Sequence, residues 1–184
     1  RRGQAPLIAH NPSVPVSECH QDLGKPLAPA GEWPRPLGHE KTGLKPITAL
    51  CRRIKYPKDF KDLALLCCEF HTHIHRAEEL RADTALKVLK RCDAFRRPQR
   101  FEQILQVSTA DARGRTGLED SPYPQANLFR RYLQAATEVD VKSLVQQGFK
   151  GAELGEKIDL SRTALIKQLK KDAATESTQE QETK

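Results

Sequence analysis

Three of the six histidines in this chain stand two residues apart, as His71, His73 and His75 in EFHTHIH. On a helix His71 and His75 fall at i and i+4 on one face, where both imidazoles can reach one ion, while His73 points elsewhere. His20 stands near Asp22 in CHQDLGK, His39 opens GHEKTG, and Asp111 in TADARGR offers a further carboxylate. A divalent transition metal accepts imidazole and carboxylate together, and such a centre activates water for attack on a phosphate ester. The plain alternative is that each histidine is an ordinary structural side chain.

The second chemical feature is basic charge. The chain carries 31 Lys and Arg against 24 Asp and Glu, a net charge of +7. Between Arg81 and Arg100 seven cations face only Asp83 and Asp93. The segment containing Lys87, Lys90, Arg91, Arg96, Arg97 and Arg100, followed by Arg113 and Arg115 and then Arg130 and Arg131, suits a polyanion such as RNA. Lys and Arg neutralise phosphates and release counterions, which gives affinity without reading sequence. Arg115, in the loop GRTG, could equally hold an anion or tie that loop to neighbouring helices. Phe95, Phe101 and Tyr123 are as well suited to packing as to stacking on bases.

These groups need elements to position them. Residues 1–41 contain seven prolines and little periodicity, with room for a helical turn from Cys19 to Gly24. From Lys45 the pattern is helical, with Pro46 and Pro57 in first-turn positions. Leu50 and Ile54 form one apolar stripe, and Phe60, Leu63, Leu66, Cys67 and Phe70 another. A third helix starts near Asp83 with Leu86, Val88 and Leu89 inward. A fourth follows Pro98 with Phe101, Ile104, Leu105 and Val107 inward. Gly114 to Pro124 is a loop, Gln125 to Ala136 a fifth helix, and Val141 to Gln147 a short one stopped by Gly148. Lys150 to Lys171 reads as one or two final helices. No alternating strand pattern appears, so the expected class is all-α.

Five cysteines, an odd number with no C-x-x-C pair, argue against a disulfide framework or a zinc ribbon. Cys51, Cys67 and Cys68 lie among apolar residues and read as small buried groups in a reducing compartment. No run approaches the ~20 apolar residues of a transmembrane helix, and the expected location is cytoplasmic. The absence of any Met points to a fragment or a trimmed chain.

The series CHQDLGK, WPRPLGHE, EFHTHIHRAEEL and ADARGRTGLEDSPYPQ resembles the HD domain of bacterial multifunctional CCA proteins, the HD-type tRNA nucleotidyltransferases. The likeness continues through FKGAELGE and covers roughly residues 18–171. It implies an HD-like helical domain over 18–115 and a C-terminal helical region over 116–171, the latter part of a tRNA-binding body. Residues 1–17 stand outside it as an irregular segment, and 172–184 are expected to be a disordered tail. The likeness also implies a metal site from His20, Asp22, His39, His71 and Asp111, with His75 a weaker candidate. A transition metal would sit there, and Mg would serve the family's nucleotide-adding head.

Two departures are visible. The family's first histidine, upstream of the HD pair, has no counterpart, since His10 lies in an unrelated context. Gln21 separates His20 from Asp22, and residues two apart on a regular helix diverge by ~200°. Neither a strand-borne aspartate pair nor a glycine-rich nucleotide loop occurs in the chain. The implied function is therefore the HD and tRNA-binding part of an enzyme that adds or repairs the tRNA 3′-terminal CCA, with tRNA as partner, no membrane, and a second copy of the chain as a further candidate. The alternatives are a metal-dependent phosphohydrolase acting on 2′,3′-cyclic or small phosphate esters, and a non-enzymatic helical remnant.

Overall fold

A computed structural model describes residues 39–114 and 116–182, with side chains for 40–114 and 116–173. All the regular elements among these residues are helices. They are α1 (His39–Thr42), α2 (Leu44–Arg53), α3 (Lys58–His75), α4 (Ala82–Arg91), α5 (Pro98–Arg113), α6 (Pro124–Thr137), α7 (Val141–Gln146) and α8 (Gly151–Glu182). The all-α expectation holds. Among the described residues no helix is long and apolar enough to cross a membrane.

The chain divides into two units that alternate along the sequence. Among the described residues, one contains those up to Arg76 together with those between Arg97 and Ala126, and the other contains Ala77–Arg96 and those from Asn127 onward. The first unit is built around α3, which packs against α1, α2 and α5. Leu63, Cys67, Phe70 and Ile74 recur at spacings of four, three and four, so one stripe of α3 is apolar throughout. Ala64, Cys68 and His71 widen that buried face. α5 starts with Pro98 in its first turn, where the missing N–H costs nothing, and buries Phe101, Ile104, Leu105, Val107 and Ser108. The Ser108 hydroxyl satisfies itself within the helix by donating to the Ile104 carbonyl at 3.0 Å.

In α2 the stripe differs from expectation. Ile47 and Cys51 are buried, in a cluster with Ala64 and Cys68, whereas Leu50 is half-buried and Ile54 is 44% exposed. Both pairs have i, i+4 spacing, so periodicity alone does not choose between them. Ile54 caps the helix where the chain turns away. Lys55 takes a left-handed φ of 53°, its amide donates to Arg52 O, and the Tyr56 amide donates to Cys51 O at 3.0 Å. This is a Schellman stop made without glycine. α4 ends the same way, with Asp93 at φ 56° and the Ala94 amide on Leu89 O at 2.9 Å. α7 uses the expected glycine, Gly148 at φ 95°, with the Phe149 amide on Leu144 O.

In the second unit α8 packs against α4 and α7. Tyr132 of α6 is fully buried, and its hydroxyl donates to Ala77 O at 3.2 Å. The Lys170 ammonium of α8 donates to that hydroxyl at 3.1 Å and to Glu78 O at 2.8 Å. Arg162 lies over the Phe95 ring, 3.8 Å from its centroid, and donates through Nε to the Ala136 carbonyl near the end of α6. Lys90 of α4 pairs with Asp159 of α8. The backbone of α8 stays helical to Glu182, well into the stretch expected to be disordered. Glu and Gln in that stretch favour helix locally even without an apolar stripe.

Two outcomes follow from these contacts. Lys55→Gly relieves the left-handed strain of a non-glycine residue and is expected to stabilise the chain by about 1 kcal/mol. An unchanged or lowered urea midpoint would contradict the turn geometry. Burial and the Glu78 charge push the Tyr132 phenol up to about 12. Above an unfolded value near ~10 the unfolded chain then binds fewer protons than the native one, so stability falls as pH rises from about 10 to about 12. Tyr132→Phe should flatten that part of a stability-versus-pH curve measured by denaturant titration.

Candidate metal centre and basic faces

Of the five expected ligands, His71 and Asp111 have described side chains. His20 and Asp22 lie outside the described residues, and His39 is described only in its backbone, at the start of α1. His71 is buried on α3. Its Nδ1 sits 2.9 Å from the Cys68 carbonyl and 3.2 Å from the Cys67 carbonyl. A carbonyl oxygen only accepts, so Nδ1 carries the proton and the lone pair of the neutral ring is on Nε2. Donation of one ring N–H to a backbone carbonyl is how metal-binding histidines are commonly oriented.

Asp111 is in the last turn of α5, and its Oδ2 lies 2.8 Å from His75 Nε2. The His75 ring stands edge-on to His71 with centroids 6.0 Å apart, so the i, i+4 pair does share a face. The two rings nonetheless make different bonds. The Tyr123 hydroxyl is 2.8 Å from His75 Nδ1. Burial and the Asp111 charge hold the Tyr123 phenol well above the usual tyrosine range, so it stays a donor. The direction of each bond then follows. In a neutral ring beside an ionised Asp111, Tyr123 donates to Nδ1, and Nε2–H donates to the carboxylate. Both ring nitrogens of His75 are occupied within the protein.

His73 turns from this face, packing edge-on to Phe70 at 5.8 Å. Among the described residues, no group of three or more His, Cys, Asp or Glu is arranged to hold a metal ion. The two described candidates, the His71 imidazole and the Asp111 carboxylate, are donor types that suit a divalent cation.

Tyr123 is brought to His75 by the loop between α5 and α6. The Arg113 Nε donates to Ser121 O at 3.3 Å across that loop. Gly117 turns it at φ 86°, and the backbone amides of Glu119 and Gly117 hold the Glu119 carboxyl below its usual range. Sequence reasoning left Tyr123 open between packing and base stacking and gave it no place beside a histidine. The one cue to its role is its position, as the last aromatic before the Pro124 that starts α6.

The expected RNA-contacting cations divide between the units. Lys87, Lys90, Arg91 and Arg96 belong to the second, and Arg97, Arg100 and Arg113 to the first. Arg115 lies outside the described residues. Lys87 is exposed on α4. Arg96 grips Asp93 through Nε at 2.7 Å and Nη2 at 3.0 Å, pinning the turn after α4. Lys90 is engaged by Asp159, and Arg113 by the loop. Part of the basic set therefore has local structural work.

The multifunctional CCA protein of Hahella chejuensis is 47% identical to this chain over 174 residues, which is 95% of the chain and 41% of that protein. That of Pseudomonas fluorescens is 51% identical over 171 residues, 93% of the chain and 42% of the relative. This chain is homologous to the C-terminal portion of the multifunctional CCA proteins. The Pseudoalteromonas atlantica multifunctional CCA protein is 46% identical over 163 residues, 89% of the chain and 40% of its own length. The chain thus spans 40–42% of the length of these relatives. No family model matches it, and neither does any solved structure.

Proposed function

We propose that this chain supplies the HD-type and tRNA-contacting part of a CCA-adding tRNA nucleotidyltransferase, acting in the cytoplasm. The observation that carries the reading is identity of 46–51% with multifunctional CCA proteins along 89–95% of the chain. Its helices and basic segments supply no nucleotide-adding chemistry of their own. Their contribution is to hold tRNA by its phosphates, with Lys87 and the exposed Arg131 as the plainest candidates.

The same reading gives the HD-type site His20, Asp22, His39, His71 and Asp111 as ligands. A divalent metal bound there would supply Lewis acidity and an activated water toward a phosphate ester. His71 would offer Nε2, held by its bonds to the Cys67 and Cys68 carbonyls, and Asp111 its carboxylate, held by His75.

Filter binding of tRNA across a salt series tests the central claim. Retention at 50 mM salt, with affinity falling by at least about tenfold by 200 mM, is the expected behaviour of several phosphate contacts. Lys87→Glu should weaken binding, whereas Arg96→Ala should change it less because Arg96 is already neutralised by Asp93. Absence of tRNA retention even at the low-salt end would overturn the reading.

A further inference from the structure

We propose that His75 and Tyr123 are positioning residues for Asp111, forming a Tyr123–His75–Asp111 relay that fixes the carboxylate, rather than His75 being a metal ligand. The inference rests on the preceding reading only in taking Asp111 as a cation ligand. The geometry itself stands on three groups delivered by three separate segments. His75 ends α3, Asp111 lies near the end of α5, and Tyr123 closes the loop before α6.

Three observations support it. The two bonds are both 2.8 Å and use opposite sides of one ring. The ring cannot serve both partners and also present a lone pair to an ion, because in the neutral form one nitrogen donates and the other accepts. With an ionised Asp111, which only accepts, and a neutral ring, the directions are fixed: Nε2–H donates to the carboxylate and Nδ1 accepts from the Tyr123 hydroxyl. Tyr123 consequently selects the tautomer with the proton on Nε2, and that proton holds Asp111 Oδ2. His71, whose Nδ1 rests on backbone carbonyls, has the opposite tautomer. Two histidines one turn apart are thus turned differently, one with its Nδ1 on backbone carbonyls and one with its Nε2 on a carboxylate.

Outer partners of this kind typically change metal affinity by about 10- to 100-fold when removed. The test uses the whole chain with histidines labelled in nitrogen-15, without metal, and then Mn2+ binding followed calorimetrically. In the wild type, His75 should show the Nε2-protonated tautomer with a hydrogen-bonded Nδ1. Tyr123→Phe should move the Nδ1 resonance to that of an unbonded lone pair and weaken Mn2+ binding by about tenfold or more, with the circular-dichroism melt of the metal-free chain retained. Asp111→Asn should alter the Nε2 proton signal instead. A wild-type His75 protonated on Nδ1, or a Tyr123→Phe chain with unchanged Nδ1 resonance and Mn2+ affinity, would overturn the proposal. If the wild type takes up no Mn2+, the ligand reading of Asp111 fails. The nitrogen resonances then decide the relay alone, and a Nδ1 response to Tyr123→Phe sustains it.

Discussion

The positions of His71 and His75 at the candidate centre depend on how α3 is buried. Seven of its residues are buried, and α1, α2 and α5 all lie against it. Burying a Leu, Ile or Phe side chain contributes about 1.5–3 kcal/mol, and Leu63, Phe70 and Ile74 supply three such terms along one helix. A hydrogen bond to a charged group contributes about 1.5–3 kcal/mol at best. The His75–Asp111 pair is partly solvated, with side chains 21% and 18% exposed, which lowers its share. Apolar packing therefore decides where the ends of α3 and α5 meet. The polar bonds decide only how the side chains are turned once they are there.

This division explains what the sequence made legible. The stripes Leu86, Val88 and Leu89, and Phe101, Ile104, Leu105 and Val107, are core residues as read, because helical periodicity reports burial directly. The glycine stop at Gly148 was visible for the same reason, since residue type encodes the conformation. The stops at Lys55 and Asp93 were not visible, because there the backbone accepts left-handed strain in residues that do not advertise it. Leu50 and Ile54 misled because Ile47 and Cys51 have the same spacing, and only the tertiary partners Ala64 and Cys68 select between the pairs.

The site divides in the same way. His71 and His75 on one face followed from helix geometry, whereas Asp111 was named as a further carboxylate and given a ligand's place only by the family likeness. Their distinct tautomers could not follow from either, because a tautomer is set by what lies opposite each nitrogen. For His75 that partner is Tyr123, which is 48 residues away in sequence. Two of the cations have acidic partners that a count along the chain does not assign to them. Asp93 and Asp159, distant in sequence from one another, each take one of them.

The alternation of the two units has a consequence for how the chain is made. The polypeptide passes from one unit to the other after Arg76, after Arg96 and after Ala126. No single cut releases either unit whole. A ribosome delivers α3 long before α5, its packing partner, and α4 long before α8. The first unit can close only when residues near Ala126 have emerged, while α4 waits with Leu86 and Leu89 uncovered. Contacts of that sequence separation carry a loop-closure cost that slows folding. The exposed interval is a window in which a nascent chain of this design would profit from a chaperone.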